Sequence, residues 1–186
     1  MLPFKQYLAH VLATVLALTI CFPAASARYE DPATLMIEDA QGKTLASYTV
    51  EELKRVFPIR ELETPTPWMP KDQKIGFRGP YLKDVLKKHF PYGTNVEIIA
   101  YNGFSSIIER DEIEKYAPIL AIERLCDDES RKDGSCREGQ TYRPLYLKDG
   151  GPLFLVWPLD ELPASYIPAR NAIWVWFVVA VRPNDE

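Results

Sequence analysis

The stretch Pro65-Thr66-Pro67-Trp68-Met69-Pro70 limits the fold more than any other part of the sequence. Its prolines lack the amide donors that a helix interior or a central strand needs, and each fixes φ near about −65°. The segment must therefore be a rigid, extended loop, with regular structure on either side. Before it, Leu35-Met36-Ile37-Glu38 and the run from Thr44 to Tyr48 flank the turn residues 39–43, which predicts a β-hairpin. Thr49 and Glu52 have capping-box spacing, and Tyr48 with Leu53 suits a hydrophobic staple, so residues 50–57 read as a short helix stopped by Pro58. After it, Pro80 suits the first turn of a second helix, in which Leu82, Val85, Leu86 and Phe90 recur at helical spacing up to Pro91-Tyr92-Gly93. His89 lies beside two lysines near the end of that helix and reads as a cation facing the helix dipole.

The second half reads mainly as strands: residues 96–101, 104–108, 118–123, 153–157 and 173–181, with a helical turn near 111–116. The class expected is α+β, without internal repeats. The last strand is intensely apolar, but at about ten residues it is too short to cross a bilayer as a helix.

At the N-terminus, Lys5 precedes an apolar run from Val11 to Phe22, and Ala25-Ser26-Ala27 supplies small residues at the cleavage positions. This is the pattern of a secretory signal peptide over residues 1–27, leaving one domain over 28–186 in the periplasm, an oxidising compartment. Cys21 leaves with the signal; a lipid-attachment site is disfavoured because bulky Ile20 precedes it. The remainder is apolar enough for one core-bearing globule, at 47% hydrophobic and 12% aromatic for the whole chain. All 26 acidic residues lie beyond Ala27, so the exported part is acidic and a nucleic-acid partner is excluded. Its two cysteines, Cys126 and Cys136, sit in a very polar stretch. A structural disulfide, stabilising by about 2–3 kcal/mol, is the expectation. A metal or redox pair is the alternative, but Cys-x-x-Cys spacing and a nearby histidine are both missing.

With His89 as the one histidine beyond residue 27, zinc, non-haem iron and Ser-His-Asp chemistry have little support, and there is no Gly-rich phosphate loop. The informative feature is aromatic and polar residues at loop positions. They occur in the order Thr66-Pro67-Trp68, Phe77-Arg78-Gly79-Pro80-Tyr81-Leu82, Ala100-Tyr101-Asn102-Gly103-Phe104, Tyr116-Ala117-Pro118-Ile119-Leu120-Ala121, Asp149-Gly150-Gly151-Pro152-Leu153, Val156-Trp157-Pro158 and Arg170-x-x-x-Trp174. Each piece is common; the order, across residues 45–181, resembles the small exported proteins of the sulfite-oxidase fold, a group of oxidoreductase molybdopterin-binding domains. The resemblance implies an α+β domain whose core is a mixed β-sheet, barrel-like, with a few short helices and a pterin pocket.

Enzymes of that group hold molybdenum through a cysteine thiolate. Here the corresponding region reads Glu63-Thr64-Pro65-Thr66-Pro67-Trp68, which offers no soft anionic ligand. A phosphorylated cofactor also calls for several cationic donors, and Arg170, with Arg78 and Lys148 as weaker candidates, is a sparse supply. A plain pterin, without metal or phosphate, fits better. Such a flat polar ring needs stacking faces and a few edge-reading groups. Candidates are Trp68, Phe104, Trp157 or Trp174 for the faces, Asp160 to accept from the amino-pyrimidine, and Arg170 or Asn171 to donate to the ring carbonyl, with Thr66, Tyr101 and Asn102 close by in the loops. For each tryptophan the competing reading is core packing, and Trp174 and Trp176 would share one strand face. Asp160 otherwise caps a turn, and Arg170 otherwise pairs with Glu161. Relatives with this degenerate pattern resemble periplasmic pterin-responsive regulators that dock on the sensory domain of a membrane-bound cyclic-di-GMP enzyme. The expectation is thus a non-enzymatic pterin sensor; the alternatives are a molybdopterin-dependent oxidoreductase and an interaction module with a vestigial pocket.

Overall fold

The structure is a computed structural model that describes residues 29–184 except Lys71 and Tyr92. The expected signal peptide lies outside the described residues. The predicted hairpin is present as β1 (Thr34–Glu38) and β2 (Thr44–Thr49). Its turn is shaped by Asp39, whose carboxylate accepts from the amides of Gln41 at 3.0 Å and Lys43 at 2.8 Å. The capping box is also present: Thr49 and Glu52 exchange hydrogen bonds at the start of α1 (Val50–Val56), which ends at Phe57 just before Pro58.

The pair that follows departs from the sequence expectation. β3 (Ile59–Thr64) and β4 (Ile75–Pro80) are antiparallel, and the proline-rich segment is the loop between them. Pro80 therefore ends a strand; the second helix, α2, runs Leu82–His89. Phe77-Arg78-Gly79-Pro80 concealed its strand because glycine and proline both argue against one. Glycine is required here by a close approach: a Cβ on Gly79 would lie 1.9 Å from the carbonyl oxygen of Leu120. His89 also differs from expectation. Its Nε2 lies 2.9 Å from the Tyr48 hydroxyl, and burial, with the neighbouring charge of Lys88, lowers its pKa, so it is held towards the neutral form rather than serving as a cation.

The remaining elements are β5 (Asn95–Ala100), β6 (Ser105–Ile108), α3 (Arg110–Tyr116), β7 (Ile119–Ala121), β8 (Glu123–Leu125), α4 (Asp128–Lys132), β9 (Tyr142–Pro144), β10 (Phe154–Val156) and β11 (Val178–Asn184). The expected strand 118–123 is thus divided between two sheets. The last strand starts at Val178 rather than 173, because Phe177 has φ of +57° and Asn171–Ile173 is a turn of 3-10 helix.

The class is α+β. One sheet has the order β2-β1-β11-β5-β6, with β1 parallel to β11 and its other pairs antiparallel; a second has the order β3-β4-β8-β9, and β7 pairs with β10. Among the described residues no sheet closes on itself, so the barrel-like core is not formed: each sheet ends in edge strands. One continuous apolar cluster unites them, including Leu35, Ile37, Leu53, Leu82, Leu86, Ile98, Ile108, Ile113 and Leu155. Burying side chains of this size stabilises by about 1.5–3 kcal/mol each relative to exposure. Two anchors fix the proline-rich loop to that core. The buried Thr64 hydroxyl accepts from the amide of Leu159 at 2.8 Å and donates to the carbonyl of Pro65 at 3.0 Å.

The Gly79 contact generates a prediction. Gly79→Ala drives a methyl into the backbone of β7, and urea denaturation should show a loss of about 3 kcal/mol; an unchanged midpoint would mean that β4 does not lie this close to β7.

Candidate ligand cleft

The proline-rich loop turns tightly after Thr66, with the Met69 amide donating to the Thr66 carbonyl at 3.1 Å. That turn presents Trp68 half-exposed to solvent. Opposite, residues 163–177 form a strap with short 3-10 turns at Ala164–Tyr166 and Asn171–Ile173, and carry Trp174 and Trp176 against the loop. The Trp68 ring lies edge-to-face on Trp176, with centroids 5.0 Å apart, and on Trp174 at 6.1 Å. Trp176 also meets Phe154 at 5.9 Å, and its ring rests on Gly150, where a Cβ would lie 3.0 Å from Trp176 Cγ.

Two hollows flank this aromatic contact. One, of about 220 Å³, is lined by Thr66, Trp68, Met69, Ile75, Phe77, Phe154 and Trp176, and ends in Arg124, Lys148 and Asp149. The other, of about 240 Å³, is lined by Trp68, Asn102, Phe104, Trp174, Trp176 and Phe177. Trp68 and Trp176 line both and so form the wall between two lobes of one cleft. The edge-to-face geometry leaves no parallel slot between these indoles, so a flat ligand would lie against their outer faces rather than between them.

Of the residues expected at a site, the structure brings together Thr66, Trp68, Asn102, Phe104 and Trp174. Trp174 is 4% exposed and acts chiefly as backing. The Asn102 side chain is engaged locally, accepting from the Phe104 amide at 3.1 Å. The others lie outside the lining. Trp157 is fully buried and donates its indole N–H to the Ile173 carbonyl at 2.9 Å, so it is core that steadies the strap. Exposed Tyr101 sits beside the second lobe, its amide on the Phe177 carbonyl at 2.8 Å. Asp160 pairs with Lys74 at 2.9 Å. Arg170 pairs with Glu112 rather than Glu161, and the other Glu112 oxygen accepts from the Tyr166 hydroxyl at 2.8 Å. This contact ties the strap to α3 and pushes the Tyr166 phenol up to about 12. The Asn171 Oδ1 is buried without a hydrogen-bond partner.

The polar end of the cleft was missed, apart from Lys148. Asp149 is 5% exposed in its side chain, and each of its oxygens takes two donors. Oδ1 accepts from Arg124 Nη1 at 3.0 Å and Arg143 Nη2 at 2.9 Å; Oδ2 accepts from Arg143 Nη1 at 2.6 Å and the Tyr146 amide at 3.0 Å. Burial raises its pKa, but the hydrogen bonds from Arg143 and Tyr146 and the charges of Arg143 and Arg124 outweigh this, so the carboxyl lies below its ordinary value. The Cys126–Cys136 disulfide, with Cα atoms 6.0 Å apart, closes the loop that supplies the outer partners. From that loop Asp127 accepts from Arg124 Nη2 at 2.5 Å, and Asp133 from Lys148 Nζ at 2.6 Å. In the sequence these arginines gave no signal, because their shared partner lies 25 and 6 positions away, beyond the reach of a local motif.

Among the described residues no group of three or more His, Cys, Asp or Glu is placed to hold a metal, and no helix is long and apolar enough to cross a membrane. No protein-family model matches the chain, and no curated protein matches it. Among solved structures, the sulfane dehydrogenase SoxCD from Paracoccus pantotrophus is similar with a TM-score of 0.49 and 16% identity, over 86% of this chain and 40% of that one. The chain thus spans about two-fifths of that relative's length.

The Asp149 cluster predicts a pH signature. Asp149→Asn strips the charge from a carboxylate that serves the buried Arg143 and the partly buried Arg124, and should cost about 3 kcal/mol at neutral pH. Because the folded-state pKa is depressed, the stabilisation is present above the unfolded value of 3.8 and fades as pH falls through the folded value. Denaturation of wild type and variant should therefore converge in acid; a constant gap between pH 7 and pH 2 would contradict the assignment.

Proposed function

We propose that this chain is a non-enzymatic binding protein for a plain pterin, acting in the periplasm and reporting its ligand to the sensory domain of a membrane-bound cyclic-di-GMP enzyme. The observation that carries the reading is the cleft itself: a largely apolar, aromatic-walled hollow with a small polar end, the form expected for a flat heteroaromatic ligand. The outer faces of Trp68 and Trp176 offer stacking surface, and the Thr66 hydroxyl and Lys148 ammonium offer edge contacts. The motif order that resembles the sulfite-oxidase-fold proteins supports the same choice, and with it that finer fold assignment. Exposed Tyr101 and Phe104 beside the second lobe supply apolar surface for a partner.

The donor set does not fit molybdenum cofactor. No cysteine lines either lobe, and Cys126 and Cys136 are consumed by their disulfide, so they provide no thiolate.

The experiment is a titration of purified protein with tetrahydropterins, read by tryptophan emission. Quenching at micromolar ligand is expected, and Trp68→Ala should weaken binding about tenfold through lost stacking. An unquenched signal with no heat of binding by calorimetry would remove the proposal.

A further inference from the structure

Lys148 stands where the first aromatic lobe meets a third, charged hollow of about 180 Å³, lined by Arg124, Arg143 and the carboxylates of Asp127, Glu129, Asp133 and Asp149. The neighbouring groups at this end of the cleft are committed. Both Asp149 oxygens are filled, and Arg124 spends one Nη on Asp149 and the other on Asp127. Lys148 differs: its ammonium has three protons and, among the described residues, one acceptor, Asp133. The pair is loosely held, with side chains 57% and 36% exposed, and an ion pair so open to water contributes little. Asp133 also has other donors. Its Oδ1 accepts from the Ser135 amide at 2.9 Å and the Ser135 hydroxyl at 2.5 Å, so losing Lys148 would leave it hydrogen-bonded and solvated.

We infer that Lys148 is the residue that reads the charge of the ligand's substituent, exchanging Asp133 for a single carboxylate carried on a ring bound in the aromatic lobe. The assignment rests on the pterin reading above and adds to it a preference. A phosphate bearing two charges would bring them towards the four carboxylates of the adjoining hollow, whereas one carboxylate replaces one: Asp133 turns to water as the ligand takes its place.

The test compares pterin-6-carboxylate with 6-hydroxymethylpterin, which share the ring and differ in the charge of the substituent, binding to wild-type protein and to three variants by calorimetry. Wild type should favour the carboxylate. Lys148→Met should lower the ratio of the two affinities about tenfold, the effect of one charge-assisted hydrogen bond. Lys148→Arg should retain most of the ratio, and Asp133→Asn, which frees the ammonium, should raise it. A lysine that only stabilised the fold would weaken both ligands alike and leave the ratio unmoved. An unchanged ratio in Lys148→Met with both ligands still binding would overturn the inference and leave the pterin reading intact. Failure of wild type to bind either ligand would overturn the inference, and the pterin reading with it where tetrahydropterins also fail to bind.

Discussion

Asp149 accepts hydrogen bonds from two guanidinium groups and one amide in a position almost closed to water, and much of the cleft follows from that arrangement. Burying a carboxylate without partners would be prohibitive, so Arg124 and Arg143 must converge on it from β8 and β9. Convergence fixes the turn of residues 147–150, and that turn ends in Gly150 with φ of +83°. On the bare Cα of Gly150 the Trp176 ring finds its seat, while the Gly150 carbonyl takes the Phe177 amide at 2.8 Å. A charge cluster thereby sets the wall of an apolar cleft.

Two further ties act on the same wall. The disulfide fixes the loop bearing Asp127, which holds the outer side of Arg124. On the opposite flank Glu112, only 7% exposed, draws Arg170 and Tyr166 onto α3 and so holds the strap that carries Trp174 and Trp176. Loop residues thus acquire the precision usually supplied by regular structure, because each end is bound to a buried ion.

Local signals were legible in the sequence wherever the cause was local. The Asp39 turn, the Thr49–Glu52 box and the helical spacing of Leu82, Val85 and Leu86 each describe contacts within a few residues. β3 and β4 were not legible, because Gly79 and Pro80 disfavour a strand unless a neighbouring backbone demands the space. Trp68, Phe104 and Trp174 could be suspected from their loop settings, yet Trp157 and Trp68 looked alike beside their prolines. Only the packing separates them: one indole is sealed in the core with its N–H satisfied, the other stands half in water. Arg124 and Arg143 were invisible as site residues, since what makes them matter is a carboxylate 25 and 6 positions away.

The clustering of indoles has an optical consequence. Of the chain's four tryptophans, Trp68, Trp174 and Trp176 lie within one contact group, with ring planes inclined at 81° and 74° to Trp68. Chromophores this close couple through their transition dipoles, so the group is expected to contribute an exciton couplet to the near- and far-ultraviolet circular dichroism. Whatever enters either lobe must disturb the middle member of that group. A ligand in either lobe would therefore be reported by the wall itself, without any attached label.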